Sequence, residues 1–311
     1  MSLAIGAGGQ CGVAFETTRG TYVAPTKFFP IRSESLSYKQ DSNSRRPIRQ
    51  LADVVGVVQG NSHVEGQIEI ECTEDVLPYF LYASRNTIVK TGSTNFVYTT
   101  TPASGANTAP KPALSVTLQR NGEAFGYTGC LVTSMSFSMD SGMLICQIGL
   151  LGFNEATQTV PTPTWGTTAP FGTGMYTFSV GGSQVTDSDD FSLEINDAGT
   201  PVHRLNTSRA ATSSFWGERS VSLKVTRDFE NRTELDAFKA YTSTAVSLQA
   251  SKGSNNQITF SLASTFKPGY EVSLSGQGDL LRAAVEYTGL YDASTSKSYE
   301  IVVKTQESIT P

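Results

Sequence analysis

Few residues in this 311-residue chain have the type and spacing to do chemistry. Its two histidines, His63 and His203, stand far apart in sequence. Neither has the neighbours that a hydrolase triad or a histidine-based metal site needs, so both read as loop residues. GAGGQCG (6–12) approaches a dinucleotide fingerprint. No strand precedes it, however, and Cys11 stands where the last glycine belongs, so it reads as an N-terminal arm. The four cysteines, Cys11, Cys72, Cys130 and Cys146, form no CxxC and are too dispersed for a zinc module or a disulfide scaffold. Buried free thiols are expected. DSDD (187–190) lacks the spaced ligands, glycine and distal glutamate of a calcium loop, and reads as a solvated turn. NTS (206–208) and NRT (231–233) match the glycosylation pattern by chance, in the absence of a secretory signal. No GxSxG, HExxH or P-loop occurs. No catalytic set, cofactor site or metal site is expected.

One strand carries a charge pattern. In VEGQIEIEC (64–72), Val64, Ile68, Ile70 and Cys72 fall on one face and Glu65, Gln67, Glu69 and Glu71 on the other. Carboxylates two residues apart on one face repel one another unless they are solvated or paired. The plain reading is an ordinary wet sheet face. The functional reading is a surface meant to be anionic. Facing nucleic acid, it would repel phosphates and release no counterions, so the polymer would slide past without sticking.

The elements that hold these residues are strands. Charged residues make up only 16% of the chain, and Thr, Val, Phe and Tyr are frequent, which favours β structure. Residues 1–155 carry 11 basic and 12 acidic side chains, and residues 156–311 carry 12 and 16, so neither half has the basic excess of a phosphate-gripping protein. No secretory signal or membrane-length apolar run is read, which points to a reducing cytoplasm until assembly.

The order of elements repeats. SESLSYKQD (33–41) and DFSLEIND (190–197) are alternating strands running into polar loops, which contain RRPIR (45–49) and PVHR (201–204). Strands 64–72 and 219–225 follow, then a short helix in each half. Pro78 fits the first helix only in its first turn, so that helix should start near Glu74 or Asp75. Asn231 with Glu234 resembles a capping box on the second. Each half ends in a long hairpin. In SMSFSMDSGMLICQIGLLGF (134–153) the first arm alternates, Asp140-Ser141-Gly142 is a turn, and the second arm is apolar on both faces and needs a cover. In the second hairpin (270–291) Gly276 and Gly278 sit in the turn. TPASGANTAPKP (101–112) reads as a loop, and PTPTWGTTAPFGTG (161–174) as the linker. The expected organisation is a first domain over 1–160 and a second over 175–311.

FETTRGTYVAPTKFFPIRSESLSY (15–38) resembles the opening of the major tail tube proteins of long-tailed bacteriophages, through Glu16-x-x-x-Gly20-Thr21, Ala24-Pro25-Thr26 and Ser33-Glu34-Ser35-Leu36. YTGCLVTSMSFSMDSG (127–142) is similar to the strand that enters that family's long hairpin, and FSLEIND and TGLYD resemble a further copy of the domain. The resemblance implies a mainly β fold: two tandem β-sandwich or barrel tube domains, each with a flanking helix and a long hairpin. It also implies a non-enzymatic virion protein whose domains line a lumen that passes DNA non-specifically, six domains per ring, with rings stacked.

A two-domain chain would then form a trimeric ring with pseudo-sixfold symmetry. The rival is a hexamer of single tube domains with the second half outside. Implied partners are copies of itself, a tape measure protein and terminator or tip proteins, with no membrane involved. Glu65, Glu69 and Glu71 are the candidate lumen residues. Arg45, Arg46, Arg49, His203 and Arg204, in the long loops 40–62 and 197–218, are candidates for inter-subunit or inter-ring contacts. A capsid decoration or adhesin-like virion protein is the alternative reading.

Overall fold

The computed structural model describes residues 6–48, 53–103, 111–229, 231–272 and 280–311. Arg49, most of the 101–112 loop and the turn at Gly276 and Gly278 lie outside the described residues. The first half contains β1 (Gln10–Phe15), β2 (Lys27–Phe29), β3 (Ile31–Glu34), β4 (Ser37–Arg45), β5 (Gly56–Glu71), α1 (Leu77–Tyr82), β6 (Asn86–Thr91), β7 (Phe96–Pro102), β8 (Leu114–Arg120), β9 (Glu123–Asp140), β10 (Met143–Gly152) and β11 (Asn154–Gln158). The second contains β12 (Tyr176–Val180), β13 (Ser183–Val185), β14 (Ser188–Asn196), β15 (Gly199–Val202), β16 (Ser213–Trp216), β17 (Ser220–Asp228), α2 (Thr233–Lys239), β18 (Val246–Ser251), β19 (Gln257–Leu262), β20 (Thr265–Phe266), β21 (Tyr270–Val272), β22 (Arg282–Gly289) and β23 (Glu300–Thr305). The protein is mainly β, as the composition predicts, and all strand pairs in its sheets are antiparallel.

One run of strands organises the molecule. β3 and β4 both pair β5, β5 pairs β10, and β10 pairs β9. β9 then pairs β14, β14 pairs β17, β17 pairs β22, and β22 pairs β20 and β21. Each half thus supplies the same four-strand unit, with the helix following the second strand. A seven-stranded sheet, β13-β12-β18-β19-β23-β7-β6, also draws on both halves.

The core lies between these two sheets. Phe137 of β9 meets Phe260 of β19 at 4.6 Å between ring centroids, Tyr176 meets Phe191 at 5.9 Å, and Phe178 meets Tyr287 at 6.3 Å. Burying each such ring contributes about 1.5–3 kcal/mol. α1 buries Leu77, Phe80 and Leu81 against the first half, with Phe80 edge-on to Phe29 at 5.6 Å.

The hairpin at 134–153 finds its cover inside the chain. Ser141 (φ 51°) and Gly142 (φ 79°) make a two-residue turn that sets Asp140 opposite Met143. β10 is then a central strand, flanked by β5 and β9. Leu144, Ile145, Cys146, Ile148, Leu150 and Leu151 are all buried. All four cysteines are buried free thiols.

Both helix starts differ from the sequence expectation. α1 begins at Leu77, after Glu74 and Asp75, because those carboxylates turn inward to lysines and Thr73–Val76 closes a separate turn. On α2, Asn231 Oδ1 accepts from the Thr233 N–H at 2.8 Å, but Glu234 does not complete a capping box. Its carboxylate is taken by Arg227 and Lys267.

The Glu16 motif has a structural reason. Glu16 accepts from the Gly20 N–H at 2.6 Å, the Gly129 N–H at 2.8 Å and the Ser115 hydroxyl at 2.9 Å. The four-residue spacing to Gly20 closes the loop after β1, and φ of 87° at Gly20 suits glycine. Burial raises the Glu16 carboxyl above its ordinary value, against those three hydrogen bonds.

Candidate functional site: an acidic sheet face between two open edges

Alternation along β5 is as predicted. Val64, Ile68, Ile70 and Cys72 are buried, and Glu65, Glu69 and Glu71 point to the other face. Cross-strand register carries that face over both halves. One row reads Ser33, Glu69, Gln147, Ser136, Glu194, Ser222, Thr288. The next reads Glu71, Ile145, Ser138, Ser192, Lys224, Glu286. Ser134, Ser136 and Ser138 therefore form part of one polar stripe crossing the junction between the halves. Carboxylates outnumber cations on this surface. Glu65, Glu69, Glu71, Asp140, Asp190, Glu194, Asp228, Glu271 and Glu286 face Arg32, Lys39, Lys224 and Arg282. Arg32 contacts Asp140 and lies 3.7 Å from Glu69, and Lys224 lies 4.0 Å from Glu286. The pairs are solvent-exposed or nearly so and contribute little to stability.

The run ends in two open edges. Among the described residues, β3 and β4 pair only β5, and β20 and β21 pair only β22. Unpaired edges template pairing with another chain unless they are blocked.

The loop residues singled out from sequence are not gathered together. Arg45 and Arg46 are exposed at the far end of the β4–β5 ribbon. His203 instead folds back on the first half, where its ring lies 6.1 Å from that of His63, and Arg204 beside it is exposed. The segment between β14 and β17 as a whole clasps the first half. The Ser62 N–H donates to Arg209 O and the Ala211 N–H to Ser62 O, both at 2.9 Å. Arg209 also donates to Gln59, and the Asp197 N–H donates to Thr133 O at 2.9 Å. Arg219 pairs with buried Asp197 at 2.5 Å and donates to Arg85 O.

A buried charge cluster escaped the sequence reading. Lys27 of β2 reaches Asp75 at 2.8 Å and Glu307, near the chain's last residues, at 2.5 Å. Lys252 reaches Glu74 at 2.6 Å. Burial alone would raise Asp75, but hydrogen bonds from Lys27 and Thr73 and the lysine charge outweigh it and hold the carboxyl below its usual value. Burial would lower Lys27, and its two carboxylate partners raise it instead. The depressed Asp75 stabilises the fold above the unfolded carboxyl value of about 4 and loses that contribution as pH falls through the folded value. Lys27, being raised, contributes below about pH 10.4 and loses its share as pH rises through its folded value.

Lys27→Met is expected to cost about 3 kcal/mol at neutral pH, because it leaves Asp75 buried without its cation. It should also flatten the acid limb. Urea melts of the wild type should gain more stability from pH 3 to 5 than those of the variant. Parallel limbs would show that Lys27 does not govern Asp75.

Among the described residues, no three His, Cys, Asp or Glu side chains are grouped to hold a metal ion, and no helix is long and apolar enough to cross a membrane. A family model described as phage tail tube protein matches residues 6–289. The chain belongs to the phage tail tube protein family. No curated protein matches it. Membership in this tail tube family makes the chain a structural component of the virion tail, which assembles with copies of itself into a tube and with other tail proteins. The antiparallel sandwich and the Glu16 loop are thus features of a tail tube subunit.

Proposed function

We propose that three chains close into a ring with pseudo-sixfold symmetry around a lumen that conducts DNA. The observation that carries this reading is the tandem run of strands. Two like four-strand units are already joined edge to edge by β9 and β14, leaving one edge of each kind free. Repeating that junction between chains pairs the β20/β21 edge of one copy with the β3/β4 edge of the next. Closure pairs both ends of this run, and a head-to-tail contact that closes by rotation forms a ring. In this reading residues 1–160 and 175–311 are two tube-domain copies joined by 161–174.

The hydroxyl-rich, acidic face turns inward, with Glu65, Glu69 and Glu71 on the lumen wall. An anionic, wet wall lets DNA slide, since its few cations are outnumbered by carboxylates and give phosphates no net positive surface to replace their counterions. Rings stack into a tube around a tape measure protein, the tube ends on terminator and tip proteins, and assembly takes place in the host cytoplasm. Negative-stain images of the purified protein, taken across a range of salt and crowding, test the reading. Rings or tubes are expected. Dispersed monomers under every condition would contradict it.

A further inference from the structure

The clasp inside the chain has a free counterpart. In the second half, the segment between its first two strands, β14 and β17, lies back over the first half and bonds to Ser62 and Thr133. The first half has a segment at the same place in its own unit, the ribbon made by the far ends of β4 and β5. Beyond Gln59, which accepts from Arg209, no hydrogen bond among the described residues ties this ribbon to another part of the chain. Residues 39–48 are exposed, and Val57 and Val58 are 61% and 51% exposed on opposite sides of the ribbon.

The second half shows the matching vacancy. The first half covers the end of its hairpin, where Leu150 and Leu151 are buried. At the corresponding end of the second half, after β22, Leu290 is 39% exposed and Tyr291 64% exposed. Asp292 follows Tyr291 in the chain and is opposite in charge to Arg45 and Arg46 on the ribbon.

We infer that the β4–β5 ribbon of one copy clasps the second half of the neighbouring copy in the same ring, seating Val57 or Val58 on the exposed pair Leu290 and Tyr291. This rests on the ring reading above and names the surface that fastens it. The partner is a second copy because the chain already makes the equivalent clasp with itself. It does so once, between a second half and the first half before it. In a ring, each first half also has a second half before it, and that half belongs to the next chain. The contact buries apolar side chains that are otherwise wet and sets the ribbon's arginines toward Asp292, which favours the neighbour over an uncharged surface.

The test uses assembled particles of two double variants, Val57→Cys with Tyr291→Cys and Val58→Cys with Leu290→Cys. Both are oxidised with diamide, which takes up the two electrons and two protons released as each disulfide forms. The native cysteines are buried and stay out of the reaction. One of the two pairs should give covalent dimers and trimers on a denaturing gel, ending at three chains, and the single variants should give none. A ladder running past three would place the ribbon on a stacked ring and overturn the inference. So would particles that assemble but form no interchain bond with either pair.

Hydrogen exchange on wild-type protein covers the case in which neither variant assembles. Amides 56–60 and 289–291 should slow at least tenfold on assembly, and unchanged exchange at both would overturn the proposal. Failure of the wild type to assemble at all would instead count against the ring reading itself.

Discussion

Replacing residues 43–58 by an Asn-Gly turn should yield a folded protein that no longer assembles. The cut falls between Ser42 and Gln59, which already face each other across the ribbon, so a two-residue turn can close it. Nothing removed belongs to the core. The removed residues are exposed or only partly buried where they are described, and Arg209 keeps its partner Gln59. The melting midpoint should therefore shift by no more than a few degrees, since surface changes of this kind stay within about 0.5 kcal/mol. Assembly should respond quite differently. Burying the one valine that faces the neighbour contributes at least about 1.5 kcal/mol to each contact, and every 1.4 kcal/mol is a factor of ten in affinity. Losing it should raise the concentration needed for assembly at least about tenfold, as read by sedimentation. Unchanged assembly would remove the ribbon from the account.

Reversing the charge of the acidic face should turn a slippery wall into a sticky one. The variant Glu65→Lys, Glu69→Lys, Glu71→Lys changes the face of each chain by six charges. Assembled wild-type tubes should not retain linear duplex DNA. Variant tubes should retain it and release it steeply with salt, because each lysine that neutralises a phosphate adds about 0.9 to the slope of log affinity against log salt concentration. Topology separates the lumen from the outer wall. A closed circular duplex cannot thread a tube, so it should not be retained. Equal capture of linear and circular DNA would place these glutamates outside. The fold should tolerate the change, since Glu65 is well exposed and no side-chain hydrogen bond holds Glu69 or Glu71 among the described residues.

Local chemistry was legible in the sequence where it repeats at short range. Period-two alternation placed the buried and wet faces of β5 and the polar stripe of β9 correctly, because a pleated strand admits only two faces. The Ser141-Gly142 turn and the buried thiols followed from residue type. The motif at 15–38 pointed to the family, and the structure supplies its cause in the three donors on Glu16.

What stayed hidden depends on partners distant in the chain. No local pattern joins β9 to β14 or β7 to β23, and those two pairings fuse the halves into common sheets. Nor does any spacing reveal that His203 packs on His63, or that Lys27 sits between Asp75 and Glu307. The first helix start was misplaced for the same reason. Glu74 and Asp75 look like first-turn acids, but tertiary lysines hold them ahead of the helix, while Glu234 sits in the first turn of α2 with its carboxylate on Arg227 and Lys267.

The central claim is that one chain contributes two like units to a closed ring, with the acidic face inward. A reconstruction of the assembled particle viewed down its axis tests this most directly. Three chains showing six similar lobes around a hole, with Glu69 on its wall, is the result the account predicts. A ring of six whole chains, or one with Glu69 on its outer surface, would contradict it.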